Sequence, residues 1–341
     1  MRYQEPVRCP QMSSIRYHAP SNKMLLTSRE PDHTCGLYLF SPPLSEPGDG
    51  RPHWLLGEGT SFLSASVFGM LTLDACSLAA NFYQRLSVNH RSRSEWVVHS
   101  CTPAPPSSDL VCVMATNAGV VRVFSNETMS LVAPPPFSSA SSSSRKNKNN
   151  NLPVPKEIFD IDFQRGNHNV VFAGGRSPKL WMGDLRTPQG TNQWSSVRHA
   201  SSIARLRSVN EYQVVVCGLQ NSMALYDVRF MAQRPNGAGP LVTFPGHKNE
   251  AHVHVGFDAC PEVGAVAAAQ EDGTVGVFSL ASGKRVRCPA LAGRGADRGR
   301  PVRALMFEEG ISRDKTPSLW VGEGLGITKY SFGEADLDHE W

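Results

Sequence analysis

The chain has 341 residues, of which 40% are hydrophobic and 19% are charged, and its formal net charge at pH 7 is +4. That length fits two ordinary domains or one large all-β domain. The positive surplus is too small to indicate nucleic-acid binding, and no window approaches about 18 uncharged apolar residues, so we expect no membrane-spanning segment.

Eight cysteines are spread along the chain, and no two of them form a Cys-x-x-Cys unit. This spacing disfavours a zinc finger or a thioredoxin-like motif. Several cysteines lie inside apolar runs, as Cys112 and Cys217 do, which is typical of buried thiols in a reduced intracellular protein. The first residues lack the apolar stretch of a signal peptide, so we expect a nuclear or cytoplasmic protein.

Apolar runs rich in β-branched residues recur along the chain, and small-residue turns separate them. Each run, turn and second run predicts a strand, a tight turn and another strand. Most of the second runs close on an aromatic residue. The closing positions, in chain order, are Phe40, Phe82, Phe124, Gly183, Tyr226, Phe278 and Tyr330. A recurring unit of about 40–45 residues built from four short strands is typical of a WD-repeat propeller blade.

Seven such endings predict an all-β fold, a seven-bladed WD40-type β-propeller over residues 13–333. We expect residues 1–12 to supply a strand that pairs with the last blade, because closure of the ring removes exposed sheet edges. Residues 138–151 are rich in Ser, Lys and Asn, and this composition predicts a disordered insertion. Residues 334–341 are a predicted tail. The repeat runs without a break, which favours one domain over two.

Gly246 and His247 form a pair of the kind that often precedes such a blade. In propellers of this type, the histidine commonly joins a buried polar relay with an Asp in a later turn of its own blade. We therefore predict a structural relay between His247 and Asp272 that braces the blade.

No catalytic constellation is recognisable, since the chain has neither a Gly-x-Ser-x-Gly elbow nor a Walker loop. His252 and His254 share one face of a predicted strand and could bind a metal ion with His247, but no cysteine or carboxylate is placed to complete that site. We predict no catalytic residues, no metal ion, no cofactor and no enzymatic activity. Residues 293–300 form an Arg–Gly loop that could hold phosphates. Aromatic residues for base stacking are absent from it, so nucleic acid is not the expected partner.

Two short strings each place an Asp and an Arg two residues apart at the end of a predicted strand. They are Asp184–Arg186 and Asp227–Arg229, and they fall at equivalent points of adjacent predicted blades. An Asp in this position can cap local backbone N–H groups and orient the Arg. The Arg then offers a planar fork of donors to a partner's carboxylates and carbonyls. The alternative is that each Asp and Arg simply pair within their own blade.

Residues 170–332 resemble the substrate receptors of cullin-4 RING ubiquitin ligases, a family of WD-repeat proteins. The residues that carry the resemblance are 171–177, Asp184–Arg186, 225–229, 246–250, 267–272 and 277–280. The resemblance implies that one group of residues binds the triple-propeller adaptor of the ligase, the damage-specific DNA-binding protein. That group consists of Arg186, Arg229, Asp184, Asp227 and Tyr226.

The residue before the Asp is Tyr226 in one string and Gly183 in the other. Only the first keeps an aromatic wedge, so the Asp227–Arg229 string is predicted to make the stronger contact. The resemblance further implies a non-catalytic substrate receptor, monomeric within its complex, which recruits a substrate protein that the sequence does not identify. The alternative function is a WD-repeat scaffold in another nuclear complex that handles chromatin or RNA.

Overall fold

The structure of the protein is a computed structural model. The described residues are 12–18, 23–29, 35–40, 61–65, 72–73, 84–85, 97–124, 129–132, 157–186, 194–230, 239–288, 291, 302–308, 317–323 and 326–331. The predicted closure strand before residue 12, the insertion at 138–151 and the tail at 334–341 lie outside these ranges.

Antiparallel four-stranded sheets repeat along the described chain. The first sheet contains β1 (Met12–His18), β2 (Lys23–Arg29), β3 (Cys35–Phe40) and β4 (Ser61–Ala65), and a two-stranded sheet contains β5 (Thr72–Leu73) and β6 (Gln84–Arg85). The next four-stranded sheets are β7 (Val98–Pro103), β8 (Leu110–Thr116), β9 (Gly119–Phe124) and β10 (Met129–Leu131), then β11 (Ile158–Gln164), β12 (Asn167–Gly175), β13 (Lys179–Asp184) and β14 (Ser195–Arg198). They are followed by β15 (Ile203–Ser208), β16 (Gln213–Gly218), β17 (Met223–Asp227) and β18 (Val242–Thr243), and by β19 (Phe257–Cys260), β20 (Ala265–Ala269), β21 (Val275–Ser279) and β22 (Arg285–Val286). The last described sheet contains β23 (Ala304–Phe307), β24 (Ser318–Glu323) and β25 (Gly326–Ser331).

Tight turns join the strands where the sequence predicts them. Between β16 and β17, Gln220 and Asn221 both adopt positive φ angles, of 53° and 57°. The amide of Ser222 closes the turn by donating to the carbonyl of Leu219 at 3.1 Å. Two consecutive positive φ values define the type I′ turn, whose twist matches that of a β-hairpin. The predicted strand, turn and strand unit is therefore confirmed at this position.

The first strands of six sheets lie side by side in a ring. β7 contacts β11, and the contacts continue through β15, β19 and β23 to β1, which also contacts β7. In the two-stranded sheet, β6 contacts β4 and β3. The predicted all-β repeat of four-stranded units is confirmed, whereas the predicted count of seven blades is not.

At several junctions, a side chain of one first strand hydrogen-bonds to the backbone of the next first strand. Thr102 in β7 donates its hydroxyl to the carbonyl of Ile161 in β11 at 2.6 Å. The Oδ2 atom of Asp160 in β11 accepts the backbone N–H of Leu206 in β15 at 3.0 Å. Because buried backbone groups must be paired, these bonds set how far each sheet is shifted along its neighbour.

The same pattern continues around the ring with arginine as the donor. Arg207 in β15 donates Nη2 to the carbonyl of Phe257 in β19 at 2.8 Å. Asp258 in β19 then accepts the backbone N–H of Phe307 in β23 at 2.7 Å. Four successive sheet-to-sheet junctions therefore use a polar side chain against a backbone group.

A buried ionic cluster joins four of these first strands, β1, β11, β15 and β19. Arg207 contacts Asp160 through Nη1 at 2.7 Å and Asp258 through Nε at 2.8 Å. Arg16 in β1 contacts the same Oδ1 atom of Asp258 at 3.0 Å, and Arg205 lies 3.8 Å from Asp160. The five side chains are at most 11% exposed. Paired and hydrogen-bonded charges of this kind tolerate burial, whereas isolated charges do not.

Removal of one cation from this cluster is expected to destabilise the fold strongly. Arg207→Ala leaves two carboxylates buried without their shared partner, and a loss of about 3–5 kcal/mol in the free energy of unfolding follows. Urea unfolding monitored by tryptophan fluorescence measures it. The control Arg186→Ala removes an exposed guanidinium and leaves the unfolding midpoint unchanged. Equal midpoints for the two variants would contradict the central role of the cluster.

Candidate protein-docking site

The Asp184–Arg186 string lies where β13 ends. Asp184 accepts the backbone N–H of Arg186 at 2.9 Å, so the chain turns sharply there. Its carboxylate also accepts the Arg186 Nε at 3.0 Å and Nη2 at 2.6 Å. This ion pair lowers the pKa of Asp184, chiefly through the hydrogen bond from the arginine. The Arg186 side chain is 69% exposed despite the pairing.

The Asp227–Arg229 string repeats this geometry where β17 ends. Asp227 accepts the backbone N–H of Arg229 at 3.0 Å, its Nε at 3.0 Å and its Nη2 at 2.5 Å. The arginine hydrogen bond lowers the pKa of Asp227 as it does in the first string. Here the carboxylate is largely covered, at 7% exposure, and the guanidinium-bearing side chain is 54% exposed.

The two strings occupy equivalent points of neighbouring sheets. In one sheet the amide of Leu185 donates to the carbonyl of Asn169 at 2.7 Å, and in the next the amide of Val228 donates to the carbonyl of Tyr212 at 2.8 Å. Because β13 and β17 hold the same rank in their sheets and β11 contacts β15, both arginines are presented at the same end of adjacent sheets. We call this end of the two sheets the Asp–Arg face.

The two arginines differ in what lies beneath them. The guanidinium carbon of Arg229 lies 4.9 Å from the centre of the Tyr212 ring, a cation–π contact. The register-equivalent residue beside Arg186 is Asn169, which has no ring. The second string is therefore held on two sides and the first on one. The sequence ranked the second string above the first because of Tyr226, whereas the ring that contacts Arg229 is that of Tyr212; which string binds a partner more strongly stays a prediction.

Tyr226, predicted as the aromatic wedge of the docking site, does not reach the surface. Only 3% of the residue is exposed, and it packs in the core that the sheets of β13 and β17 share. Its position in β17 alternates with that of Asp227, so the two side chains point to opposite faces of the sheet. A direct contact between Tyr226 and a partner is excluded by this burial, and the prediction is corrected accordingly.

Tyr226 instead belongs to a buried polar relay that the sequence did not reveal. The His199 ring lies 2.9 Å from the Tyr226 hydroxyl through Nδ1 and 3.0 Å from the Ser222 hydroxyl through Nε2. Ser222 contacts the Ser201 hydroxyl at 2.7 Å, and Ser201 donates to the carbonyl of Leu219 at 2.7 Å. Burial lowers the pKa of His199 to about 4, so the ring is neutral at pH 7 and braces the turn between β16 and β17.

The predicted relay between His247 and Asp272 is not formed. The Nε2 atom of His247 lies 3.3 Å from the Cys217 sulfur. Asp272 accepts the backbone N–H and the hydroxyl of Thr274, at 3.0 and 2.6 Å. His247 is buried, as predicted, and burial lowers its pKa to about 4. The prediction was wrong because Asp272 satisfies its carboxylate within its own turn.

The other sequence candidates do not assemble into a chemical site in the described part of the chain. His254 stacks on His99, with ring centroids 5.6 Å apart. Among the described residues, no group of three or more potential metal ligands is found. A search of the same residues for a helix long and apolar enough to cross a membrane also finds none. The Arg–Gly loop at 293–300 lies outside the described ranges.

Comparison with solved structures gives a match over nearly the whole chain. The crystal structure of the WD40 β-propeller domain of Doa1 is 12% identical, covers 95% of this chain and 80% of its own, and superposes with a TM-score of 0.50. The chain has the fold of a WD40 β-propeller. The computationally designed Ika8 protein covers 93% of the chain and 72% of its own, at 13% identity and a TM-score of 0.45. The designed Ika4 protein covers 52% and 91%, at 18% identity and a TM-score of 0.38.

No protein-family model matches the sequence of this propeller, and no curated protein sequence is significantly similar to it. The match to a WD40 domain therefore concerns the fold. Among the described residues, the two Asp–Arg pairs are exposed ion pairs that repeat with the same geometry at equivalent points of two sheets.

The pH dependence of unfolding is expected to report the His199 relay. The pKa of His199 is about 4 in the folded chain and about 6.5 in an unfolded chain. Stability from the neutral ring is complete above about pH 6.5 and is lost as the pH falls towards 4, at up to about 1.4 kcal/mol per pH unit. Burial raises the pKa of Asp162 to about 7, which acts in the opposite direction.

The contribution of His199 is therefore isolated as a difference. The free energy of unfolding of the wild type minus that of His199→Gln, measured by urea titration from pH 4 to pH 8, should grow with pH up to about 6.5. A difference that stays constant over this range would contradict a neutral His199 in the folded chain.

Proposed function

We propose that this protein is a non-catalytic protein-binding platform that docks through its Asp–Arg face. The observation that carries the proposal is the repeated geometry of Asp184–Arg186 and Asp227–Arg229. Each aspartate holds its arginine, yet both arginine side chains stay more than half exposed. Two exposed, oriented arginines at one end of adjacent sheets form a contiguous surface for a partner.

Pairing within the blade and docking to a partner are compatible in this geometry. Each aspartate engages the Nε and Nη2 atoms of its arginine, which is the side of the guanidinium fork. The other end of the fork, formed by an N–H of Nη1 and the second N–H of Nη2, points away from Asp184 and Asp227. That end matches a carboxylate or two carbonyl oxygens of a partner. Because the aspartates fix the side chains beforehand, binding loses less conformational entropy.

The partner that we propose is the triple-propeller adaptor of cullin-4 RING ubiquitin ligases, the damage-specific DNA-binding protein. The support is the resemblance of residues 170–332 to the substrate receptors of that ligase, cullin-4-associated factor four among them. Both docking arginines of the resemblance, Arg186 and Arg229, are exposed here. In this role the propeller recruits a substrate protein, and ubiquitin transfer belongs to other subunits. The complex would then work in the nucleus or the cytoplasm.

Titration of the purified propeller against the purified adaptor tests this function. The double variant Arg186→Ala with Arg229→Ala is expected to bind at least about tenfold more weakly than the wild type, since buried interface arginines are frequent hot spots. Among the single variants, Arg229→Ala should lose more than Arg186→Ala, because Arg229 is held by both Asp227 and Tyr212.

The matched control is Arg176→Ala. Arg176 is also exposed, pairs with Glu157 and lies 5.9 Å from the Phe159 ring. It sits in the turn between β12 and β13, at the opposite end of the sheet from Arg186, and its loss should leave adaptor binding unchanged. A wild type that does not bind the adaptor, or a folded double variant that binds as well as the wild type, rejects the proposed docking and favours a scaffold in another complex.

A further inference from the structure

Two large apolar side chains are conspicuously exposed among the described residues, and both belong to the sheet of Arg229. Tyr212 is 47% exposed and Leu241 is 52% exposed. Isolated exposed apolar residues are common on protein surfaces. Tyr212 and Leu241, however, lie on the two sides of the same strand, β17, near its end.

Their positions follow from the backbone register on either side of β17. On one side, the carbonyl of Tyr212 accepts the amide of Val228 at 2.8 Å. On the other side, the amide of Leu241 donates to the carbonyl of Leu225 at 2.7 Å. The two residues thus lie on the two sides of β17, about 10 Å apart across the sheet and offset by two residues along it, with Tyr212 opposite Val228 and Leu241 opposite Tyr226. Both are close to the end of β17, and Tyr212 contacts Arg229.

Tyr212 also contacts Arg229. Its ring lies under the guanidinium at 4.9 Å while Asp227 holds the Nε and Nη2 atoms. The tyrosine therefore offers one part of its surface to the arginine and keeps the rest in solvent. Tyrosine and arginine are both enriched at the centre of protein interfaces.

We propose that Tyr212 and Leu241 form, with Arg229, the centre of the docking surface, and that the bound segment of the partner places a carboxylate next to an apolar side chain. This inference rests on the adaptor docking proposed above and specifies its chemistry. Arg229, whose side chain is 54% exposed, attracts the carboxylate, and the apolar side chain packs between Tyr212 and Leu241. The neighbouring Arg186, with Asn169 at the equivalent place, then belongs to the rim of the interface.

Binding of the full-length propeller to the purified adaptor, measured by calorimetry, tests the inference with three variants. Tyr212→Ala removes both the packing and the support of Arg229, and we expect at least about tenfold weaker binding. Tyr212→Phe keeps the ring and should stay within about threefold of the wild type. Leu241→Ser should weaken binding by about three- to tenfold. Thermal unfolding of each variant checks that it is folded, and Arg176→Ala again serves as the control.

The outcomes separate this inference from the function on which it rests. If the wild type binds the adaptor, the double arginine variant does not, and Tyr212→Ala and Leu241→Ser bind normally, the docking function stands and the proposed centre is rejected. If Tyr212→Phe binds as weakly as Tyr212→Ala, the ring is not the contact group, and the inference fails for that reason. If the wild type does not bind the adaptor, the function and the inference fail together.

Discussion

The structure depends on polar side chains that bind the backbone of the next first strand. A propeller blade has little apolar surface to bury on its own, so its stability comes from its neighbours. Hydrophobic packing between sheets is not directional, and it leaves the shift of one sheet along the next poorly determined. A carboxylate such as that of Asp160, bonded to the amide of Leu206, removes this freedom because it accepts only at one register. Asp258 does the same for Phe307 at a later junction.

Arg207 connects two of these junctions, the one between β11 and β15 and the one between β15 and β19. It contacts carboxylates from two different sheets and a backbone carbonyl, while being almost fully buried. Such a group is stable only when every part of the arrangement is in place. The relative positions of β11, β15 and β19 are thus set together. The strand ends that carry the exposed arginines belong to the same sheets. The buried cluster therefore also sets the spacing between the two strings on the Asp–Arg face.

The repeat and its turns could be predicted because they depend on local chemistry. Alternating β-branched residues and small-residue turns specify a hairpin, as Gln220 and Asn221 show with their positive φ angles. The two Asp-x-Arg strings were recognisable for the same reason, since the aspartate binds its own neighbour two residues on. The polar relay was predicted at the wrong histidine, His247, because several histidines follow strands in the sequence. No local pattern shows which of them hydrogen-bonds to a hydroxyl group. His199 does so only through Ser222 and Tyr226, which come from a different sheet from β14.

The sequence by itself determined an all-β chain of repeated four-stranded units and the two strings at equivalent points, because strand periodicity, turn chemistry and short-range pairing lie within a few neighbouring residues. Only the tertiary structure decided which aromatic residue supports Arg229. Tyr226 precedes the string in sequence but points into the core, and Tyr212 reaches the arginine from the adjacent strand. It also decided that Asp160 and Arg207, 47 positions apart, share one buried cluster. Contacts across strands and sheets depend on register, and register is set by the whole ring.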